Sequence, residues 1–473
     1  MRYGEGRNKT MKERKFFDAI TNVREDLIEE AENIKLKKNR PLWRRAAIPA
    51  ACAILVLAVV LLYTILAKDD KQTGLLLDVV YPEVYAFDDY ETRMAIWDQN
   101  PVDDTFTDAI NDFSYSTASQ LLSDDGLNKN YSPLSLYYAL SLAASGAKAE
   151  TAAELLNLLG VQDEETLTQQ CGNLYRLLYR ENEIGKLKIA NSIWLDNDYL
   201  GQPVKFEDAF VKNAAENFYA SSHHVDFALA ETGKQMAHWI AEQTQGTLRP
   251  EIETDPEQIL AILNTIYFYD QWIDKFSKDK TAEDVFYLAD GSEVKSDFMN
   301  QTFGSASFSK GENFTRADLS LKNSARMVFV LPDTGVSPYD LLASPELMRQ
   351  AIEGGDAYNG EVVWKIPKFS FSSSFDLRDT LVSLGVEKAF QQDADFSGIT
   401  DHTAFISGIK QETHIAIDEN GVEASAFTKI DYDGAALPEG RAEMIMNRPF
   451  IFAIVGQNSN LLFVGVCENP AQQ

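Results

Sequence analysis

Apolar residues recur at helical spacing early in the chain and at strand spacing later. Phe106, Ile110, Phe113, Ala118 and Leu121 line one face of 106–122, and similar stripes run through 136–147 and 151–159. Each predicts an amphipathic helix with one side in a core. Short apolar or alternating runs at 187–195, 259–269, 325–331, 361–371, 413–418, 450–455 and 461–466 predict strands. Helices come mainly first and strands mainly last, which reads as α+β with substantial antiparallel sheet. No internal repeat or low-complexity tract interrupts residues 104–473, so they are expected to form one large mixed domain.

A different pattern occupies residues 46–67: AAIPAACAILVLAVVLLYTILA, 22 residues without a charge. At 1.5 Å per residue, such a helix just covers a hydrocarbon core of about 30 Å. Lys35, Lys37, Lys38, Arg40, Arg44 and Arg45 precede it, and Lys68, Asp69 and Asp70 follow. The positive-inside rule then expects a cytosolic N-terminus and an extracellular remainder. A cleaved signal peptide is the alternative. The 45-residue leader is long for one, and Leu66-Ala67-Lys68 is a poor cleavage site. Residues 1–45 become a basic cytosolic stub, in which Phe16, Phe17, Ile20, Val23, Leu27 and Ile28 predict a short amphipathic helix. Residues 68–103, punctuated by Pro82 and Pro101, read as an extracellular connector.

Charge narrows the choice of partners. The chain of 473 residues carries a formal net charge of −29; residues 1–45 hold 13 Lys/Arg against 8 Asp/Glu, which leaves −34 on 68–473. Such a surface repels nucleic acid and anionic lipid, so neither is expected to bind the folded part. With a single anchor and an acidic ectodomain, the architecture points to a bacterial cell-surface protein and a monomer. Three cysteines, Cys52, Cys171 and Cys467, match neither a disulfide framework nor a zinc site and are expected as buried thiols. His223 and His224 are followed by Asp226, but adjacent strand residues point to opposite faces and cannot easily share a metal.

No phosphate loop, zinc helix or nucleophile elbow occurs, so no cofactor or metal is expected. Asp393 and Asp395 are close, yet Asp395-Phe396-Ser397-Gly398 reads as a capped turn rather than an acid/base pair. The informative stretch begins at Thr413. Ile415 and Ile417 share one face of a short strand, and Glu419, Asn420 and Gly421 follow as a natural turn. Then comes a run of small residues without proline up to Leu437. At a period of two, Val422, Ala424, Ala426 and Thr428 point one way, while Glu423, Ser425, Phe427 and Lys429 point the other. One face is small enough to enter a sheet, and no missing N–H blocks pairing. These residues alone fit a flexible loop equally well.

Motifs spread across residues 104–473 resemble the serpin family. In order they are Asn130-x-Ser132-Pro133-x-Ser135, Gly146-Ala147-Lys148-x-x-Thr151, Ala190-Asn191-Ser192-Ile193-Trp194 and Asn264-Thr265-Ile266-Tyr267-Phe268 with Trp272 and Phe276. Phe298-Met299-x-Gln301, Met327 with Leu331-Pro332, Ile366-Pro367-Lys368-Phe369, Leu384-Gly385, Asp395-Phe396-Ser397, Arg448-Pro449-Phe450 and Phe463-x-Gly465 follow. The resemblance implies a fold of three β-sheets and about eight to nine helices with an exposed reactive loop. It also implies a suicide substrate: a target serine protease attacks the loop, and the cut loop enters the central sheet before the acyl-enzyme is hydrolysed. Insertion of this kind draws on stored strain.

By that resemblance Glu419, Gly421, Val422, Glu423, Ala424, Ser425, Ala426 and Thr428 form the hinge. Counting seventeen residues from Glu419 puts the cut between Ala435 and Ala436, which suits an elastase-like protease; Gly434, Leu437 and Arg441 are alternatives, and Arg441 would favour a trypsin-like one. Ser132, Ser135, Asn264 and Trp272 match the family's opening zone, where Gln411 replaces an expected histidine. A non-inhibitory serpin acting as a binding or chaperone-like module is the competing expectation, with an enzyme or a plain scaffold third.

Overall fold

A computed structural model describes residues 74–123, 126–199, 201–422 and 440–472. The apolar run at 46–67, the stub before it and Cys52 lie outside them. Among the described residues no helix is long and apolar enough to cross a membrane.

The helical stripes fold where their spacing predicts. The described residues hold α1 (Tyr90–Gln99), α2 (Asp104–Leu121), α3 (Pro133–Ala144), α4 (Ala149–Leu158), α5 (Glu164–Leu178), α6 (Asp208–Asn217) and α7 (Ala230–Gln243), then the shorter α8 (Pro338–Leu342), α9 (Pro345–Glu353) and α10 (Arg378–Ser383). Nine of the ten lie after residue 103, and α1 belongs to the connector. α2 buries Phe106, Ile110, Phe113, Ala118 and Leu121. α3 starts where Ser132 caps it and Pro133 takes the first turn, a place where a missing N–H costs nothing. All of α3 is buried, because it packs between the two large sheets, against β8 (Leu260–Gln271) and β19 (Leu461–Cys467).

The central layer runs in the order β1 (Leu75–Leu77), β7 (Ala220–Val225), β4 (Lys186–Asp196), β8, β16 (Gly421–Val422), β15 (Lys410–Asp418) and β14 (Phe369–Asp376), with β3 (Arg180–Glu181) beside β4. The second sheet runs β17 (Arg441–Ile445), β13 (Asp356–Pro367), β10 (Glu293–Gly311), β11 (Phe314–Ser320), β12 (Arg326–Pro332), β18 (Phe450–Val455), β19 and β2 (Lys129–Tyr131), with β9 (Ala282–Tyr287) beside β10. A two-stranded ribbon, β5 (Asp198–Tyr199) and β6 (Gln202–Pro203), is the third. Phe369 and Phe371 of the central sheet meet Phe450 and Phe452 of the second, with ring centroids 5.4–6.2 Å apart. This aromatic layer contributes both area and edge-on geometry to the core.

The run expected as one strand over 361–371 is two. Pro367 has no N–H to continue a ladder, and the N–H of Lys368 turns to the Asp297 carbonyl at 2.8 Å. The chain thereby passes from one sheet to the other. The connector also proves to be built into the body: β1 pairs with β7 at the sheet edge. Tyr81 stacks on Tyr179 and Tyr219 at 5.6 and 6.3 Å, with the Lys188 ammonium 4.0 Å above its ring.

Candidate functional site

The centre of the central sheet is a seam between two parallel strands, β8 and β15. At its upper end β16 sits between them. Gly421 faces Gln271 and Asp418, and Val422 faces Asp270 and Ile417. Below Val422 no backbone ladder joins β8 to β15 among the described residues. A Cβ on Gly421 would lie 2.1 Å from the Asp270 carbonyl oxygen, so only glycine lets the two backbones approach this closely.

Polar contacts clasp the root of this strand. The Trp272 N–H donates to the Asn420 carbonyl at 3.0 Å, and the Phe276 N–H donates to the Glu419 carbonyl at 3.0 Å. The Trp272 indole N–H reaches the Asp418 carbonyl at 2.9 Å. The Glu419 side chain, nearly inaccessible to solvent, accepts from Thr281 Oγ1 at 2.8 Å and pairs with Lys368 Nζ at 3.2 Å. Burial pushes its carboxyl up, but its own N–H, Thr281 and Lys368 together outweigh that and hold it below the ordinary range. Asp270, opposite Val422, behaves the other way. Burial raises its carboxyl to about 6 although the N–H groups of Gln271 and Asn323 and the Asn323 amide all donate to it.

A second cluster staples the seam lower down. Asp270 and Ile417 flank Val422, and six residues back along the two parallel strands stand Asn264 and Gln411, at one level. The N-terminus of α3 lies across both. Gln411 accepts from the Ser132 N–H at 3.0 Å and donates to the Ser132 carbonyl at 2.9 Å. Ser132 Oγ donates to the Leu462 carbonyl at 2.7 Å. The Ser135 hydroxyl donates to Asn264 Oδ1, whose amide donates to Asn191 Oδ1 at 2.5 Å. Asn191 in turn donates to the Phe218 carbonyl at 2.7 Å. An amide at 411 uses both its donor and its acceptor on one residue and does not titrate.

The five residues grouped by the resemblance thus fall into two clusters. Ser132, Ser135, Asn264 and Gln411 form the lower staple, while Trp272 belongs to the upper clasp. Of the hinge, Glu419, Gly421 and Val422 are placed; Glu423, Ala424, Ser425, Ala426 and Thr428 lie outside the described residues, as do Gly434, Ala435, Ala436 and Leu437. Arg441 opens β17, parallel to β13, with ion pairs to Glu361 at 2.7 Å and Glu443 at 3.1 Å. The loop is therefore held on one side by Val422 and on the other by Arg441. Lys368, Thr281, Asp270 and Asn191 join the site without having been singled out for it, although Lys368 and Asn191 stand inside two of the motifs.

The remaining candidates are ordinary structure. Asp393 pairs with Lys388 at 2.6 Å, and Asp395 accepts from the Ser397 hydroxyl and N–H, the capped turn its sequence suggests. Cys171 and Cys467 are free and buried, and burial pushes the Cys171 thiol up to about 12. His223 stacks on Trp194 at 3.9 Å while His224 lies by Phe206. Among the described residues no group of three or more His, Cys, Asp or Glu is placed to hold a metal.

Comparison with known proteins agrees with this architecture. The family described as serpin (serine protease inhibitor) matches residues 108–470. Mouse Serpin B11 is 28% identical over 393 residues, covering 78% of this chain and all of the relative. The alpha-1-antiproteinase of Mus saxicola is 26% identical over 406 residues, covering 83% and 95%. The crystal structure of tengpin, a thermophilic serpin, in its native state superposes with a TM-score of 0.70 at 26% identity, covering 83% and 97%. The chain belongs to the serpin family, a family of serine protease inhibitors and not of enzymes.

Proposed function

We propose that this protein inhibits serine proteases as a suicide substrate, by cleavage of the loop between Val422 and Arg441 and insertion of its first part into the central sheet. What carries the reading is β16: the root of the loop is already a strand paired on both sides, above a seam with no backbone ladder. The residues that follow suit entry. Ala424, Ala426 and Thr428 share the inward parity of Val422, and small side chains there keep the steric cost of insertion low. The bond attacked is Ala435–Ala436. A small residue before the cut fits the shallow primary pocket of elastase-like proteases. The uncharged run at 46–67 anchors the chain in a membrane, with the serpin domain on the extracellular side.

Incubating the full chain with pancreatic elastase and running a denaturing gel tests this. A covalent band near the sum of the two masses is expected. Clean cleavage without that band would make the protein a substrate with a non-inhibitory role. Replacing Ala435 with Arg should move the preference to trypsin; an unmoved preference would put the cut elsewhere in the loop. Retention of the chain in membranes after alkaline carbonate washing tests the anchor.

A further inference from the structure

We propose that the exposed face of α1 lies on the zwitterionic lipid surface of the membrane, a contact that rests on the anchoring reading above. Thirteen large apolar or aromatic side chains stand exposed among the described residues, and eight of them fall within residues 75–97. Scattered singly, such residues are ordinary; gathered in one stretch, they mark a contact surface. On α1 the gathering has a helical period. Tyr90, Met94 and Trp97 repeat at i, i+4 and i+7, which puts them on one face, and they are 60%, 57% and 40% exposed. Ile96, off that face, is partly buried, and α1 lies on α5.

The stretch is firmly fastened. β1 pairs with β7, and Tyr81 is stacked into the body. Asn100 Oδ1 accepts from Arg176 Nε at 2.5 Å, and the Pro101 carbonyl accepts from the Asn173 amide at 2.7 Å. Polar groups and one ring thus hold the connector to the body, while its large apolar groups are kept outward. Keeping them in water gains nothing, whereas covering them is favourable.

The length of the tether points to the cover. Only residues 68–74 separate the uncharged run from β1, a reach of at most about 28 Å when fully extended. β1 and the chain that follows it therefore stay near the lipid. Tyrosine and tryptophan, with an apolar body and a polar edge, settle at the boundary between hydrocarbon and headgroups. Charge selects the lipid. Asp88, Glu91 and Asp98 stand exposed on and beside α1 and repel anionic headgroups, so the contact is apolar and the surface zwitterionic. A weak contact is enough, because the tether makes this second attachment intramolecular. The domain is then held against the membrane instead of swinging on its tether.

Tryptophan fluorescence in nanodiscs tests this, because the indoles divide cleanly. Trp194, Trp239, Trp272 and Trp364 are buried. Trp97 reports the face, and Trp43, three residues before the apolar run, reports the anchor. Full chains carrying Trp43→Phe, Trp97→Phe or both are reconstituted with phosphatidylcholine nanodiscs, either plain or brominated near the headgroup. Brominated lipid should quench the Trp43→Phe chain, and that quenching should be lost in the double variant. Met94→Glu, at an exposed position of the same face, should abolish quenching of Trp97 and leave the melting temperature unchanged; quenching that survives it overturns the assignment of the face. Quenching of Trp43 without Trp97 keeps the anchor and overturns the docking. Quenching of Trp97 alone keeps the face on lipid and defeats the anchor, and quenching of neither defeats both. A Trp97 shielded from aqueous iodide yet untouched by brominated lipid is covered by protein, which also overturns the proposal.

Discussion

The two ends of the β8–β15 seam are closed by different chemistry. The upper end is zipped by backbone, through Gly421 and Val422, and clasped by groups that ionise: Glu419, Lys368 and, opposite Val422, Asp270. The lower end is held by side chains reaching from the cap of α3, and its members Ser132, Ser135, Asn264, Asn191 and Gln411 stay neutral across ordinary pH. A strand entering from above must therefore pass a region whose strength depends on pH, then break a staple whose strength does not. The difference separates starting insertion from completing it.

The largest effect comes from blocking the passage between the two ends. Ala424 is the next inward position after Val422 by parity. Ala424→Glu would place a carboxylate between apolar neighbours of both strands, and burying an unpaired charge is expensive. The stoichiometry of inhibition, measured as moles of serpin consumed per mole of elastase, should rise on the order of tenfold or more, since each 1.4 kcal/mol added to one branch shifts the partition tenfold. An unchanged stoichiometry would mean that the loop does not enter this seam.

Removing the lower staple comes next. Asn264→Ala deletes the acceptor of Ser135 and the donor to Asn191, leaving polar groups under the sheet without partners. Buried polar groups that lose a partner cost about 1–3 kcal/mol each, so urea unfolding should show a loss of about 2–4 kcal/mol. The rate of spontaneous loop insertion should rise as well. Equal stability in the variant would show that the staple is decorative.

At the upper end Asp270 gives a signed pH prediction. Its folded value is raised to about 6 by burial, against roughly 3.9 in an unfolded chain. The ionised form is the disfavoured one, so its penalty is absent below the unfolded value and grows as pH rises towards and through about 6. At neutral pH a shift of this size amounts to roughly 2–3 kcal/mol. Glu419 acts with the opposite sign: its lowered carboxyl stabilises the fold above its unfolded value and loses that contribution as pH falls through the folded one. Asp270→Asn should flatten the decline in melting temperature between pH 4 and about 6 and leave the acid-side loss from Glu419 in place. A profile identical to that of the unmodified chain would sink the assignment.

How far these features were readable in the sequence depends on how local their causes are. The stripe of α2, the Ser132–Pro133 start of α3 and the parity of Val422 against Ile417 follow from period and capping alone. α5 is masked in the sequence: Leu167, Cys171, Leu174 and Leu178 repeat at helical spacing and are buried together, but the polar residues among them obscure the stripe. The division of 361–371 at Pro367 turned on one missing N–H. The clasp was beyond sequence reasoning because Thr281, Lys368 and Glu419 lie up to 138 positions apart in the chain. Asp270 was equally hidden, since only burial against the Asn323 turn makes an ordinary-looking carboxylate unusual.

The subtlest change tests the neutrality of the lower end directly. Gln411 meets both the N–H and the carbonyl of Ser132, whereas a neutral imidazole, whose two nitrogens point apart, keeps only one of these bonds, as acceptor from the N–H. Gln411→His should therefore cost about 1 kcal/mol at pH 8, the net worth of the one hydrogen bond lost. On protonation the acceptor is lost and the Ser132 N–H is left facing a second donor. The variant's seam should loosen as pH falls through the imidazole range near 6.5, while the unmodified staple stays constant there. Protection factors at the Ser132 and Asn264 amides, with each exchange rate taken against the intrinsic rate at the same pH from pH 8 to pH 5.5, separate the two. A lower end whose protection already varied with pH in the unmodified chain would erase the contrast with the clasp, because the staple would then contain a titrating group that Ser132, Ser135, Asn264 and Gln411 do not supply.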